Sequence, residues 1–113
     1  MNARVVLKQG VKIHDIQPQM ILFLQIACGV WNEFAVRQLV VTSGSEGKHM
    51  ATSLHYKGLA VDLRWPIDVP RENLVIRLRS ACGQTTGPKG QQISNWDIVP
   101  ESDHLHVEYQ PKG

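Results

Sequence analysis

The sequence predicts an α+β fold in which a small antiparallel sheet is flanked by helices. Apolar residues recur at three- and four-residue spacing over residues 18–34, which is typical of an amphipathic helix. Short runs rich in β-branched residues predict strands both before and after a second helical segment. With 113 residues, of which 42% are hydrophobic and 19% charged, the chain is expected to form a single domain over residues 1–113.

The first half of the chain is predicted to hold one helix and two strands. In the helix over residues 18–34, Pro18 suits the first turn, because its missing N–H has no partner there. Residues 36–42 (VRQLVVT) predict a buried strand, and residues 43–57, which are polar and small, predict a long loop. A second strand is expected over residues 58–65.

The second half is predicted to begin with a helix over residues 68–83. Asp68 lies near its start, Pro70 in its first turn, and Gly83 is expected to end it. The rest of the chain is expected to form a surface loop, a strand, a turn and a last strand, at residues 84–92, 96–100, 100–103 and 104–110.

The composition argues against several classes of function. The net charge is +2 with neutral histidines, and no run of lysine or arginine indicates a nucleic-acid-binding stripe or a membrane-binding patch. The longest apolar stretch, residues 20–31, is interrupted by Gln25 and too short to span a bilayer, and the N-terminus lacks the apolar segment of a signal peptide. Cys28 and Cys82 are expected to be free, buried thiols, since one pair makes no disulfide framework.

Strand alternation predicts that several polar side chains meet on one face of the sheet. In the strand after the long loop, the apolar neighbours of Asp62 face the core while Asp62 faces the other way. In the last strand, His104, His106 and Glu108 share the face opposite to the apolar residues. Two neighbouring strands can therefore direct Asp62 and His106 to one point, and His55 comes from the loop before the first of them.

Two imidazoles and one carboxylate are a suitable ligand set for zinc, so His55, Asp62 and His106 are candidate ligands. Structural zinc sites usually contain several cysteines, so a nitrogen and oxygen set with an open fourth position favours catalysis. Asp103 lies three residues before His106, at the turn that enters the strand. If the backbone bends at Ser102 and Asp103, this carboxylate can act as a general base.

Two motifs built from these residues resemble those of a known enzyme family. They are Ser53-x-His55-x-x-Gly58-x-Ala60-x-Asp62 and Asp103-x-x-His106-x-Glu108. Together they resemble the zinc D-alanyl-D-alanine carboxypeptidase and L-alanyl-D-glutamate endopeptidase family, which has the Hedgehog/DD-peptidase fold and includes many phage endolysins. The upstream segment VVTSG and the helix before it also match, so the resemblance covers the chain from about residue 11 to residue 109.

The resemblance implies a role for each matching residue. It makes His55, Asp62 and His106 the zinc ligands and Asp103 the general base. Ser53 corresponds to the serine of the family motif, which we interpret as a substrate-binding residue or a hydrogen-bond partner in the second shell of the metal.

The last strand contains a His-x-His pair, which leaves a choice of ligand. The family spacing selects His106, and His104 then either lines the cleft or is an exposed surface histidine. Glu108 can orient the imidazole of a ligand or be a solvated carboxylate, and Trp96 is expected in the core rather than in the cleft. Gly58 is expected at a turn.

One position departs from the family pattern. After the segment TSG, many relatives have an aromatic residue and an arginine that contacts the carboxylate of the substrate, whereas this chain has Ser45 and Glu46. The residue that binds the substrate carboxylate therefore stays open among Lys48, Arg37 and Arg64.

The resemblance implies a zinc-dependent peptidase that hydrolyses peptidoglycan stem peptides. The D-x-x-H-x-E ending favours an L-alanyl-D-glutamate endopeptidase-type lysin over a D-Ala-D-Ala carboxypeptidase or dipeptidase. A non-catalytic zinc-binding domain of a virion or of a cell-wall-binding protein is the alternative from another class. A monomer is expected, with a peptidoglycan peptide as partner and neither nucleic-acid binding nor membrane insertion. It would be made in the cytoplasm without a signal peptide and act on the bacterial cell wall after release.

Overall fold

The computed structural model describes residues 3–13, 16–44, 58–83, 85–86, 88–90 and 92–110. Within these ranges the elements are, in chain order, β1 (Arg4–Leu7), α1 (Pro18–Glu33), β2 (Gln38–Ser43), β3 (Ala60–Leu63), α2 (Arg71–Ala81), β4 (Thr85–Thr86), β5 (Gln92–Ile93), β6 (Trp96–Pro100) and β7 (Leu105–Tyr109). Five strands form one sheet in the order β1-β2-β3-β7-β6. β4, within the predicted surface loop, pairs with β5 at the end of that loop. The predicted α+β class is confirmed.

The five-stranded sheet is mixed, whereas the sequence predicts an antiparallel one. β1 runs parallel to β2, with Arg4 opposite Gln38 and Leu7 opposite Val41. The other neighbouring strands of this sheet are antiparallel. β1 is not among the predicted strands, because its four residues are mostly exposed and show no alternation of burial. Two neighbouring parallel strands need a crossover connection, and α1 provides it between β1 and β2.

The two helices lie close to their predicted positions. α1 ends one residue before the predicted boundary, and α2 begins at Arg71 instead of residue 68. Asp68 has a φ of +61°, and Pro70 is the N-cap residue with extended backbone. The late start follows from Pro70, since a residue before proline is disfavoured in the helical region. Gly83, with a φ of +81°, follows the last turn of α2 as predicted. Within the described ranges, no helix is long and apolar enough to cross a membrane.

Both helices pack against the same face of the sheet. The largest fully buried side chains of this core are Trp31, Phe23, Met20, Leu39, Leu63, Leu74, Leu78, Leu105, Val30, Val41, Val61 and Val107. Those of the strands occupy alternate positions in β2, β3 and β7, so they all point to the helices. The residues between them, including the predicted site residues of β3 and β7, lie on the opposite face.

The two cysteines are free, as predicted, although only Cys82 is fully buried and Cys28 is half-buried. Burial raises the pKa of both thiols, and it raises the pKa of Cys82 to about 11. A thiol with a raised pKa holds little of the reactive thiolate at neutral pH. Both thiols are therefore mostly protonated at neutral pH.

The packing of α2 predicts different costs for two substitutions on this helix. Leu78 is 0% exposed. Leu78→Ala is expected to lower the free energy of unfolding by about 2–5 kcal/mol, because it leaves a cavity in the core. Ile76 is 59% exposed on the same helix, so Ile76→Ala serves as the control. It should change the free energy of unfolding by about 0.5 kcal/mol or less. Urea denaturation of both variants measures the difference, and equal losses would contradict this packing.

Candidate functional site

Asp62 and His106 lie directly opposite each other on the antiparallel strands β3 and β7. The Oδ1 atom of Asp62 is 2.8 Å from the Nδ1 atom of His106. The Asp62 side chain is 16% exposed and that of His106 is 21% exposed, so both are sheltered but reachable by a small ligand. The two side chains therefore meet, as strand alternation predicts.

Glu108 fixes the other side of the His106 ring. Its Oε1 atom is 2.9 Å from His106 Nε2, and its second oxygen accepts a hydrogen bond from the side-chain amide of Gln110. Residues two apart on a strand face the same way, so Glu108 can reach this ring without a change in the backbone. The imidazole is thus held between two carboxylates, one on each strand.

These two carboxylates raise the pKa of His106. The hydrogen bond with Asp62 is the largest cause, partial burial opposes it, and the hydrogen bond with Glu108 adds to it. In the absence of a metal, the arrangement therefore favours the protonated imidazolium, which donates from both ring nitrogens.

Asp103 lies at the tip of the turn between β6 and β7, and the backbone bends at Ser102 and Asp103, as a role of Asp103 as general base requires. The Oδ1 atom of Asp103 is 2.6 Å from Nδ1 of His104, and the Asp103 side chain is 84% exposed. The other ring nitrogen of His104 is 3.8 Å from Asp62 Oδ1. His104 therefore stands between the proposed general base and the Asp62–His106 pair.

The contact with His104 also lowers the pKa of Asp103. The hydrogen bond from the His104 ring is the largest cause, followed by a backbone hydrogen bond and the charge of the same ring. Asp103 is consequently a carboxylate at neutral pH, as a general base must be, but the same contact makes it a weaker base.

Residues of β2 and β6, the strands on either side of the β3–β7 pair, add polar groups to this face. Ser43 of β2 lies opposite Asp62 at an irregularity in the register, and the hydroxyl of Thr42 donates to the Asp62 carbonyl at 3.4 Å. Asp97 of β6 lies opposite Glu108. The sequence analysis does not find Ser43 and Asp97, because alternation alone does not specify which residues of neighbouring strands are paired.

Two further residues are missed by the sequence analysis although they contact the turn that carries Asp103. The indole Nε1 of Trp65 donates to the carbonyl of Glu101 at 2.9 Å, and Nη1 of Arg71 donates to the carbonyl of Ser102 at 3.0 Å. No local pattern indicates these contacts, because they join residues 36 and 31 positions apart in the chain.

The remaining predicted residues agree with their expected surroundings where the structure describes them. Trp96 packs against the core, with its ring centroid 5.3 Å from that of Tyr109 in an edge-on arrangement. Gly58 lies in a turn and has a φ of +70°, which favours glycine. Arg37 and Arg64 are exposed. Lys48 and the segment with Ser45 and Glu46 lie outside the described residues.

The donor atoms of Asp62 and His106 fit a zinc ion. Zinc accepts carboxylate oxygen and imidazole nitrogen, and a histidine ligand usually has a carboxylate on its second nitrogen, which is the position of Glu108. In the described part of the chain, no three His, Cys, Asp or Glu side chains are grouped to hold a metal ion. His55 and Ser53 lie outside that part, so the third ligand and the motif serine stay predictions.

No protein-family model, curated protein or solved structure matches this chain. The family that the two motifs resemble consequently stays a prediction, and so does the specific Hedgehog/DD-peptidase fold.

The environment of His106 predicts how the stability of the metal-free chain depends on pH. Folding raises the pKa of His106. The contribution of His106 to the free energy of unfolding is therefore fully present below its unfolded pKa of about 6.5, and it is lost as pH rises through the folded pKa. The free energy of unfolding of wild type, relative to His106→Gln, should therefore be highest below about pH 6.5 and should decrease as pH rises above that value. Urea denaturation in chelator measures this difference. A constant difference would show that the two carboxylates do not hold His106.

Proposed function

We propose that this chain is a zinc-dependent peptidase that hydrolyses peptidoglycan stem peptides, with L-alanyl-D-glutamate endopeptidase activity as the first choice. The observation that carries the proposal is the contact of Asp62 with His106, supported by Glu108 on the second ring nitrogen. This arrangement supplies two zinc donors and the carboxylate that commonly orients a histidine ligand. The resemblance of the two motifs supplies the substrate class.

The charges around these residues favour a divalent cation. Three carboxylates, from Asp62, Asp103 and Glu108, surround the two imidazoles of His104 and His106. Asp62 and His106, with the predicted His55, would hold the zinc ion, and zinc when bound polarises the peptide carbonyl. His106 must lose a proton to become a ligand, so the affinity for zinc should rise with pH over the range in which His106 titrates.

Asp103 is proposed as the general base because it extends from an exposed turn and contacts His104, which is itself 3.8 Å from Asp62. Its position at the tip allows the carboxylate to meet a substrate that approaches from solvent.

Arg64 is the preferred residue for the substrate carboxylate. It follows β3, its N–H continues the pairing with β2, and alternation puts it on the same face as Asp62.

A second candidate function is a non-catalytic zinc-binding domain, as in a virion or cell-wall-binding protein. The contact of Asp103 with His104 favours it, because a carboxylate already paired with an imidazole and lowered in pKa is a poorer proton acceptor. D-Ala-D-Ala carboxypeptidase or dipeptidase activity is the alternative within the same chemistry. These functions share the metal ligands and differ in what Asp103 does and in which bond is cut.

The ligand assignment predicts opposite results for the two neighbouring histidines. His106→Ala is expected to weaken zinc binding by more than about a hundredfold, because it removes a direct ligand rather than a supporting residue. His104→Ala is the matched control and should retain stoichiometric zinc. Metal content by mass spectrometry after dialysis, and competition with a fluorescent chelator, measure both. Zinc loss in the His104 variant with retention in the His106 variant would reverse the assignment.

The catalytic proposal predicts that zinc-loaded wild type releases new termini from purified peptidoglycan and that a chelator abolishes the release. Asp103→Asn should keep its zinc and lose about a hundredfold to ten-thousandfold in kcat, since it removes the general base. Glu101→Gln, in the same exposed turn, should retain activity and is the control. Mass spectrometry of the termini identifies the bond. A zinc-loaded wild type that cuts no bond would favour the non-catalytic domain.

A further inference from the structure

The turn that carries Asp103 is exposed, yet several hydrogen bonds hold its backbone. The N–H of Glu101 donates to the carbonyl of His104 at 2.9 Å and closes the turn, so that Ser102 and Asp103 form its tip. Exposed tips are ordinarily the most mobile part of a hairpin. A general base at such a tip needs additional contacts if it is to keep a fixed position relative to the metal ligands.

Two side chains from the segment between β3 and the first turn of α2 supply these contacts. Trp65, which is 6% exposed, donates its indole N–H to the Glu101 carbonyl, and Arg71 donates to the Ser102 carbonyl. The guanidinium carbon of Arg71 lies 4.8 Å from the centroid of the Trp65 ring, so the two residues also hold each other. Two consecutive carbonyls of the turn, the two immediately before Asp103, are thus fixed to the body of the protein.

We infer that Arg71 is a positioning residue for Asp103, an inference that rests on the proposed peptidase function. Catalytic groups must be held within about 0.5 Å of their productive geometry. Arg71 does not touch the site itself in this role. It binds the peptide group next to Asp103, and its planar guanidinium can stack on Trp65 while it donates to the carbonyl, which a lysine ammonium does less well.

Three substitutions separate this role from a general effect on stability. Arg71→Met keeps a long apolar stem over Trp65 and removes the donors, whereas Arg71→Lys keeps the charge and a donor. Arg77→Met is the matched control, since Arg77 lies on the same helix and pairs with Glu33 of α1 instead of the turn. Because Arg71 is exposed, neither substitution at this position leaves a cavity in the core. Should Arg71→Met fail to fold, Trp65→Phe removes the second donor and tests the same turn.

The first measurement is hydrogen exchange of the Glu101 amide, which reports closure of the turn without any need for activity. Arg71→Met is expected to exchange at this amide about tenfold faster than wild type, Arg71→Lys to lie between them, and Arg77→Met to match wild type. The second is steady-state hydrolysis by the zinc-loaded chains. In that assay the kcat of Arg71→Met should be about tenfold to a hundredfold lower than that of wild type, with KM within about twofold of the wild-type value. Arg71→Lys should recover part of the lost kcat.

The results distinguish the inference from the function on which it rests. The positioning role would be overturned if Arg71→Met had the wild-type exchange rate and the wild-type kcat. It would also be overturned if Arg77→Met lost as much kcat as Arg71→Met. A loss of zinc or a change confined to KM in Arg71→Met would also overturn it, because neither follows from displacement of a general base. A wild type that cuts no peptide would overturn the peptidase proposal alone, since exchange of the Glu101 amide decides independently whether Arg71 holds the turn.

Discussion

The register between β3 and β7 is the constraint on which the candidate site depends. Val61 lies opposite Val107 and Leu63 opposite Leu105, and all four side chains are buried against the helices. A slip of one residue would move these side chains to the other face and lose most of that burial. The hydrophobic effect, acting on the core face, therefore fixes the polar pairs on the opposite face, and Asp62 meets His106 without any specific attraction between them being required.

The electrostatics of the polar face follow from that geometry. Asp62, held at one point by the sheet, is within 2.8 Å of one imidazole and 3.8 Å of another, and Glu108 engages the remaining nitrogen of His106. Partly sheltered charges are tolerated when each has a partner, and a buried carboxylate without one would be costly. In the metal-free chain this paired arrangement stabilises a proton on His106. A bound cation, as proposed, would have to replace that proton.

Sequence periodicity predicted the parts of this arrangement that are local. The helix over residues 18–34 and the outward direction of Asp62 and His106 follow from spacings of 3.6 and 2 residues, which each segment carries within itself. The parallel pairing of β1, the late start of α2 and the contacts of Trp65 and Arg71 were not predicted. These depend on which segments become neighbours in three dimensions, and the last two join residues more than 30 positions apart. The zinc ligands were predicted from residue types and strand alternation, and the resemblance of the motifs supplied the substrate class. The structure brings Asp62, His106 and Glu108 together, and the metal and the substrate class stay predictions.

Asp103 experiences two opposing effects of its surroundings. The contact with His104 holds one oxygen of the carboxylate in place, which helps a general base, and lowers the pKa of Asp103, which weakens that base. Because the Asp103 side chain is 84% exposed, water screens this contact, and a contact so exposed contributes little energy that a substrate would have to overcome. The backbone contacts from Trp65 and Arg71 are then the more important restraint, since they fix the peptide groups before Asp103 without occupying its carboxylate. Because Trp65 and Arg71 hold the turn through its backbone, their restraint leaves the carboxylate to its contact with His104, which a substrate can replace at little cost. This division of tasks is compatible with a catalytic role for the turn.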